Sequence, residues 1–528
     1  MAIGSDAEIR DLIGPRTRRI DLAGRTVLPS FQDAHVHPSM AGLGLLQCPL
    51  HDLPRTPEAY LAAIAAYAAE RPTEPWVVGD GWYMSAFPGG TPLKEDLDRI
   101  VPDRPVLFIN RDGHGAWLNS RALALAGITR ETPDPPHGRI ERNPDGEPSG
   151  TLHEGAMEAV KQIIPPPTLE DRARGIELAQ AYLHRLGVTA WQDAWVTPAD
   201  LDAYRLVAER GALSARVVAC LWWERERGGE QIDEMLELRR TGTVGRLRAT
   251  TVKIMHDGVA ENQTAAMLQP YLDGHGHPRG TGLSFVDPEL LKRHVTRLDA
   301  EGFQVHFHAL GDRAVREALD ALTAARAANG KTDGRHHLAH LQVVDPADYP
   351  RFSDLDATAN IQPLWACYDP QMVVLTLPHL PVERSVLQYP FRSLRQAGAR
   401  LAGGSDWTVS TPNVMAEVEV AVTRVSYEDR TTAPFIASEA LTLEDALRAF
   451  TQGTAYVNHL DDVTGTLEPG KLADLVILDR DVFAPDAGPI GDTRVLLTMV
   501  EGQVVHEDPE LERRDASATR ESAAAVDR

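Results

Sequence analysis

Short β-branched runs alternate along this chain with longer Ala-, Leu-, Glu- and Arg-rich segments of helical period. That alternation is the mark of βαβ units and a parallel sheet. Strands are expected at 31–37, 188–193, 215–221, 250–255, 303–308, 336–340, 357–361 and 399–404. Helices fall between most of them, over 170–186, 200–211, 288–301 and 312–328. Eight parallel strands are what a TIM-type barrel needs, so the expected fold class is α/β, a (β/α)8 barrel.

The gap of about 150 residues between the first and second strands is too long for one crossover. It carries elements of its own: a helix near 57–70, strand-like segments at 76–82 and 105–110, and a hairpin over 138–152 turning at Asp145-Gly146. Residues 40–165 are therefore expected to be an insertion on the loop after the first strand, where barrel enzymes build substrate specificity. Residues 15–28 and 464–506 are short alternating segments punctuated by glycine, which predicts β-hairpins pairing into one small β-sandwich made from both termini. A helix should start at Thr442, where TLED resembles a capping box. The expected boundaries are 1–30 and 456–508 for the two parts of the sandwich and 31–455 for the barrel with its insertion. Residues 509–528, polar and without apolar periodicity, read as a flexible tail.

A net charge of −23 would repel phosphate backbones and anionic lipid, which argues against nucleic-acid or membrane-surface binding. Cys48, Cys220 and Cys367 are too scattered for a disulfide framework or a zinc knuckle and suit a reducing cytoplasm. The first residues, MAIGSDAEIRD, show no secretory pattern, and no window approaches the length of a membrane helix.

The 19 histidines are the unusual count, and their placement is informative. Asp33-Ala-His35-Val-His37-Pro ends the first strand, so His35 and His37 face one side at the end where barrel enzymes place catalytic groups. Paired imidazoles suit zinc or a similar borderline divalent metal. His275-Gly-His277 has the same spacing in a glycine-rich loop, so spacing alone carries little weight. Further strands end in Lys253, in His306 and His308, in His336, His337 and His340, and in Asp406. Singly, each has an ordinary account: a snorkelling lysine, a core histidine, a turn-forming aspartate. Their appearance in order at the ends of strands one, four, five, six and eight points to one metal site.

The segments VLPSFQDAHVHP, NRDGHGAWLNSRAL, PDGEPSGTLHE, LGVTAWQDA, VKIMHDGVAENQTAAMLQPY, QVHFHALGDRAV, HHLAHLQ, GGSDW and GTLEPGKLADLVILD resemble the amidohydrolase superfamily. The resemblance is to its family 3 branch, which includes N-substituted formamide deformylases. It implies that His35, His37 and Asp406 bind one divalent metal, and that His308 and His340 bind a second. It implies that Lys253 is N-carboxylated to a carbamate bridging both, and that His306 supports the ligands from deeper in the barrel. An ammonium cannot ligate, whereas the carbamate, formed from the neutral amine, is an anionic oxygen donor.

The implied reaction is hydrolysis of a non-peptide C–N bond of amide, formamide or carbamate type in a small molecule. A metal-bound hydroxide attacks, and Asp406 acts as general acid and base. Alternatives are a mononuclear deaminase of the same superfamily, against which Lys253 argues, and a catalytically silent binding or regulatory protein on this scaffold. Substrate-facing candidates are His114, Trp82, Asp312 and Arg313. Relatives usually begin with about 30 more residues supplying the first sandwich strands; without them an exposed sheet edge would favour pairing of two copies as a homodimer. Ser30 stands where relatives carry glycine, so a positive φ there would strain it.

Overall fold

The structure, a computed structural model, describes residues 2–511 apart from 52, 112, 114, 136, 137, 262 and 274; the expected tail beyond 511 lies outside the described residues. All eight barrel strands form: β1 (Phe31–Val36), β2 (Val188–Val196), β3 (Arg216–Trp222), β4 (Leu247–Met255), β5 (Gln304–Ala309), β6 (His337–His340), β7 (Thr358–Ile361) and β8 (Arg400–Gly403). They pair in parallel, each beside the next in sequence, from β1 through β8. Backbone bonds beyond β8 complete the circle. Asp406 N donates to His35 O at 2.7 Å, and His37 N donates to Trp407 O at 2.9 Å. The barrel is therefore sealed at the residues the sequence marks for chemistry.

Outward residues of the strands pack on helices whose ends are set by ordinary capping. Helix 288–300 starts with Asp287 accepting from Glu289 N and Leu290 N, and buries Leu291, Val295 and Leu298. Helix 312–329 buries Val315, Leu319 and Leu322 and stops at Gly330. Inside, polar side chains satisfy one another: Gln192 Nε2 and Thr251 Oγ1 both donate to Gln304 Oε1 at 2.8 Å. A barrel interior can hold such groups only when each finds a partner.

Both ends of the chain supply the small antiparallel sheet, in the order Val27–Pro29, Leu475–Leu478, Val495–Val500, Gln503–Glu507. The hairpin expected over 15–28 does not form, and that end contributes one three-residue strand. The preceding stretch is turns, with Asp21 accepting from Ala23 N and Ala23 left-handed at φ 49. Buried Arg216 of β3 pairs with Asp474 and, at 2.6 Å, with Glu501, fastening barrel to sheet. Ser30 is not among the positive-φ residues; it is buried, with its hydroxyl 2.7 Å from that of Thr189. The strain expected of a serine at this position is absent, and its side chain fills a polar niche instead.

Residues Ser39–Ala179 form a separate compact unit. Its six-stranded mixed sheet runs Cys48–Pro49, Val77–Trp82, Val106–Asn110, Gly115–Leu118, Pro148–Glu154, Gly138–Arg142. The last two strands are the hairpin read from Asp145-Gly146. Helix 57–70, N-capped by Thr56, packs Tyr60 and Ile64 into the core of this unit. Among the described residues no helix is long and apolar enough to cross a membrane.

Candidate metal centre

β1 is buried along its whole length, and its odd-numbered residues Asp33 and His35 turn into the barrel. One ligand atom each from His35, His340 and Asp406 lies within 4.8 Å of the others. Asp406 Oδ1 is 2.9 Å from His37 Nε2 and 3.4 Å from His35 Nε2. Lys253 Nζ, buried at the end of β4, is 3.5 Å from His35 Nε2. His308 stands on the far side of His340, their ring centroids 4.4 Å apart, with its Nε2 3.3 Å from Gly258 O. The six residues singled out as ligands thus form one connected cluster, drawn from β1 and the residue after it, β4, β5, β6 and the loop after β8.

The cluster's electrostatics follow from burial. Exclusion of water brings His35 and His308 down to about 3 and holds His340 well below the usual imidazole range. Burial likewise lowers Lys253 to about 8, against a pull upward from Asp406. For Asp406 burial acts upward, but His35 and His37 outweigh it and keep the carboxylate ionised. Neutral imidazoles, an anionic carboxylate and a readily deprotonated amine are the donors a divalent cation takes. His37 Nδ1 and His340 Nδ1 are moreover buried with no hydrogen-bond partner among the described residues. Unpaired buried lone pairs are costly, and a bound metal ion is what neutral imidazoles commonly satisfy. The residues fit a divalent metal.

Their supports are equally specific. Asp33 accepts from His35 N at 3.0 Å and from Ser405 N at 3.1 Å through Oδ1, and from Ser405 Oγ at 2.6 Å through Oδ2. One carboxylate thereby locks the first strand to the loop that carries Asp406. His306 lies behind His35, Nε2 to Nδ1 at 2.8 Å, leaving His35 Nε2 for the cluster. Two members sit in left-handed backbone, His340 at φ 82 and Asp406 at φ 52. Such conformations cost about 1–3 kcal/mol each and persist where surroundings dictate them. Here Gln362 Oε1 accepts from His340 N at 2.7 Å, and the barrel-closing bond holds Asp406. Gly404 is needed for space: a Cβ there would lie 2.7 Å from His35 Cβ.

The amidohydrolase family model matches residues 18–506. The chain belongs to the amidohydrolase family. LONG AFTER FAR-RED 3 of Arabidopsis thaliana is 32% identical over 524 residues, covering 96% of this chain and 86% of that protein. The N-substituted formamide deformylase of Arthrobacter pascens is 27% identical over 521 residues, covering 96% and 93%. A metal-dependent hydrolase of Pyrococcus furiosus superposes with TM-score 0.69 at 27% identity, covering 90% of this chain and 91% of its own. This amidohydrolase is accordingly a hydrolase of a metal-dependent class, which implies a divalent metal, and its His-His-Asp cluster could hold one.

The residues proposed to face substrate fare differently. His114 lies outside the described residues. Trp82 is fully buried, donates its indole N–H to Phe108 O at 2.9 Å and packs on Phe87 and Trp117; it is a core residue of the 39–179 unit. Asp312 is buried, paired with Arg384 and accepting from Leu268 N at 2.8 Å, while Arg313 donates to Thr281 O and Gly282 O. These two hold the loop over 264–282 rather than presenting a clamp. The exposed pair His275 and His277 is anchored to Asp273 in its own turn.

Sequence reasoning missed Asn360 and Gln362 of ATANIQP. Asn360 donates to Ala34 O at 2.9 Å and to His337 Nδ1 at 3.1 Å, and Gln362 donates to Asn360 Oδ1 at 2.9 Å. Two amides at alternate positions, one in the buried strand β7 and one just after it, were the available signal.

Proposed function

We propose that this amidohydrolase cleaves a C–N bond other than a peptide bond, of amide, formamide or carbamate type, in a small molecule within a reducing cytoplasm. The observation that carries the reading is the convergence of His35, His340 and Asp406, with unsatisfied imidazole nitrogens beside an ionised carboxylate. Similarity to an N-substituted formamide deformylase supports the bond type, and three buried, unpaired cysteines support the compartment.

His35, His37 and Asp406 would hold one divalent ion, zinc or a similar borderline metal by its imidazole donors, and His308 and His340 a second. Such ions lower the pKa of water towards about 7 and polarise a carbonyl oxygen. Lys253 would join them as a carbamate, its neutral Nζ bonding the carbon of CO₂ and losing a proton to become an oxygen-anion donor. Burial, which lowers Lys253 to about 8, makes the required neutral amine accessible. Asp406 Oδ1 takes the proton of the attacking water and returns it to the departing nitrogen. Asp33 and His306 keep Asp406 and His35 in position for that transfer.

Asp406→Asn should lose about 10²–10⁴-fold in kcat, the range for general acid–base groups, while retaining most of its metal. Elemental analysis and turnover on a panel of amides, formamides and carbamates test both. Wild-type kcat in the variant would refute the role of Asp406, and a metal-loaded wild-type protein inert on the whole panel would refute the reaction.

A further inference from the structure

The metal cluster accounts for many of the polar residues at the barrel mouth but does not use a stacked tryptophan pair. Trp195 near the end of β2 and Trp222 at the end of β3 stack face to face, their ring centroids 4.0 Å apart and planes within 4°. Because the strands are parallel, both lie at the barrel face that carries the cluster. Alternation fixes the direction of Trp222. Cys220, two residues earlier, points inward, its Sγ 3.2 Å from Gln192 Oε1 and 3.6 Å from His306 Nδ1. Trp222 shares that face, and its Cα is in register with Lys253 of β4.

The stack is not closed off. Trp195 is 37% exposed and Trp222 is only partly buried, unlike Trp82, Trp117 and Trp191, which are fully buried. Neither indole nitrogen of the pair has a hydrogen-bond partner among the described residues. A rigid, flat, half-wet π surface beside the reacting groups is what a pocket uses to orient a ring.

We infer that Trp222, backed by Trp195, is the specificity wall of the site and receives an aryl group carried by the substrate. The inference rests on the hydrolytic reading given above and narrows it to aryl-bearing C–N substrates. A cation is the other class an indole face attracts. It would sit in register with Lys253, in a site whose donors gather metal cations, so a neutral flat ring is the better match.

The test compares N-(2-phenylethyl)formamide with N-(2-cyclohexylethyl)formamide, which share the scissile bond and differ in ring flatness. In the metal-loaded Trp222→Leu enzyme the phenyl-over-cyclohexyl ratio of kcat/KM should fall between about 2-fold and about 12-fold, the worth of one aromatic pair, with the loss in KM. Trp222→Phe should restore most of the ratio. Titrating phenylethylformamide into metal-stripped protein should quench indole fluorescence in the wild type and not in Trp222→Leu. An unchanged ratio in Trp222→Leu, or identical quenching in both proteins, would overturn the inference. If the wild type hydrolyses neither formamide nor any amide or carbamate analogue, the hydrolytic reading fails, while the fluorescence titration still decides the aryl wall.

Discussion

Replacing Gly404 with alanine tests whether the cluster is held by close packing of β8 against β1. A Cβ at this position would lie 2.7 Å from His35 Cβ, 2.8 Å from His35 N and 3.0 Å from Asn360 Oδ1. Restoring ordinary contact at the first of these opens the two strands by about 0.7 Å or more, a displacement approaching the 1 Å that costs an active site about 100-fold. No side-chain rotation relieves it, because two of the three neighbours are backbone or β-carbon of the ligand itself. The overpacking should cost about 1–3 kcal/mol of stability. Metal affinity should fall about 10- to 100-fold, as when the support of a ligand is disturbed. Gly280→Ala is the matched control, since a Cβ there meets nothing within 4 Å and its backbone is not left-handed. Thermal unfolding and metal titration of wild type, Gly404→Ala and Gly280→Ala provide the comparison. If Gly404→Ala kept wild-type metal affinity and Tm, close packing would not be what positions His35.

Two further outcomes follow from groups away from the cluster. Burial lowers His184 from 6.5 to about 4, with Nδ1–H donating to Val188 O at 2.9 Å and Nε2 2.8 Å from Ser214 Oγ. The unfolded chain binds this proton first, so stability is whole above about pH 6.5 and should drop by about 3 kcal/mol as pH falls to about 4; urea unfolding of His184→Gln should lose that part of the slope. Asp474→Asn leaves the buried Arg216 guanidinium without its close partner and should cost about 3–5 kcal/mol in chemical denaturation; a loss below about 1 kcal/mol would mean Glu501 alone suffices.

The barrel was legible because its strands are short, apolar runs separated by amphipathic helices, and both signals are local. The ligand cluster was legible because histidine, lysine and aspartate recur at strand ends, where topology brings them together. Packing partners were not legible. Trp82 carries the same residue type as a substrate wall and is a core side chain, a distinction made by Phe87 and Trp117 closing over it. Asp312 was a substrate-facing candidate at a helix start, but its partner is Arg384, 72 positions away. Asn360 and Gln362 act through backbone groups of other strands, Ala34 O 326 positions away and His340 N 22 positions away, which no local pattern displays. The hairpin expected over 15–28 failed because Gly and charged residues there favour turns over a ladder.

Sealing the barrel through Asp33, Ser405 and Asp406 has a consequence for how the protein is made. The carboxylate of Asp33 waits for Ser405, 372 positions later, before it can fix the loop beside His35. At about 5–20 residues per second that interval is roughly 20–75 s of translation. Strand Val27–Pro29, which leads into β1, waits longer still for Leu475–Leu478. Throughout that time the emerging chain can present histidines but not the assembled cluster, which is complete only near the end of synthesis.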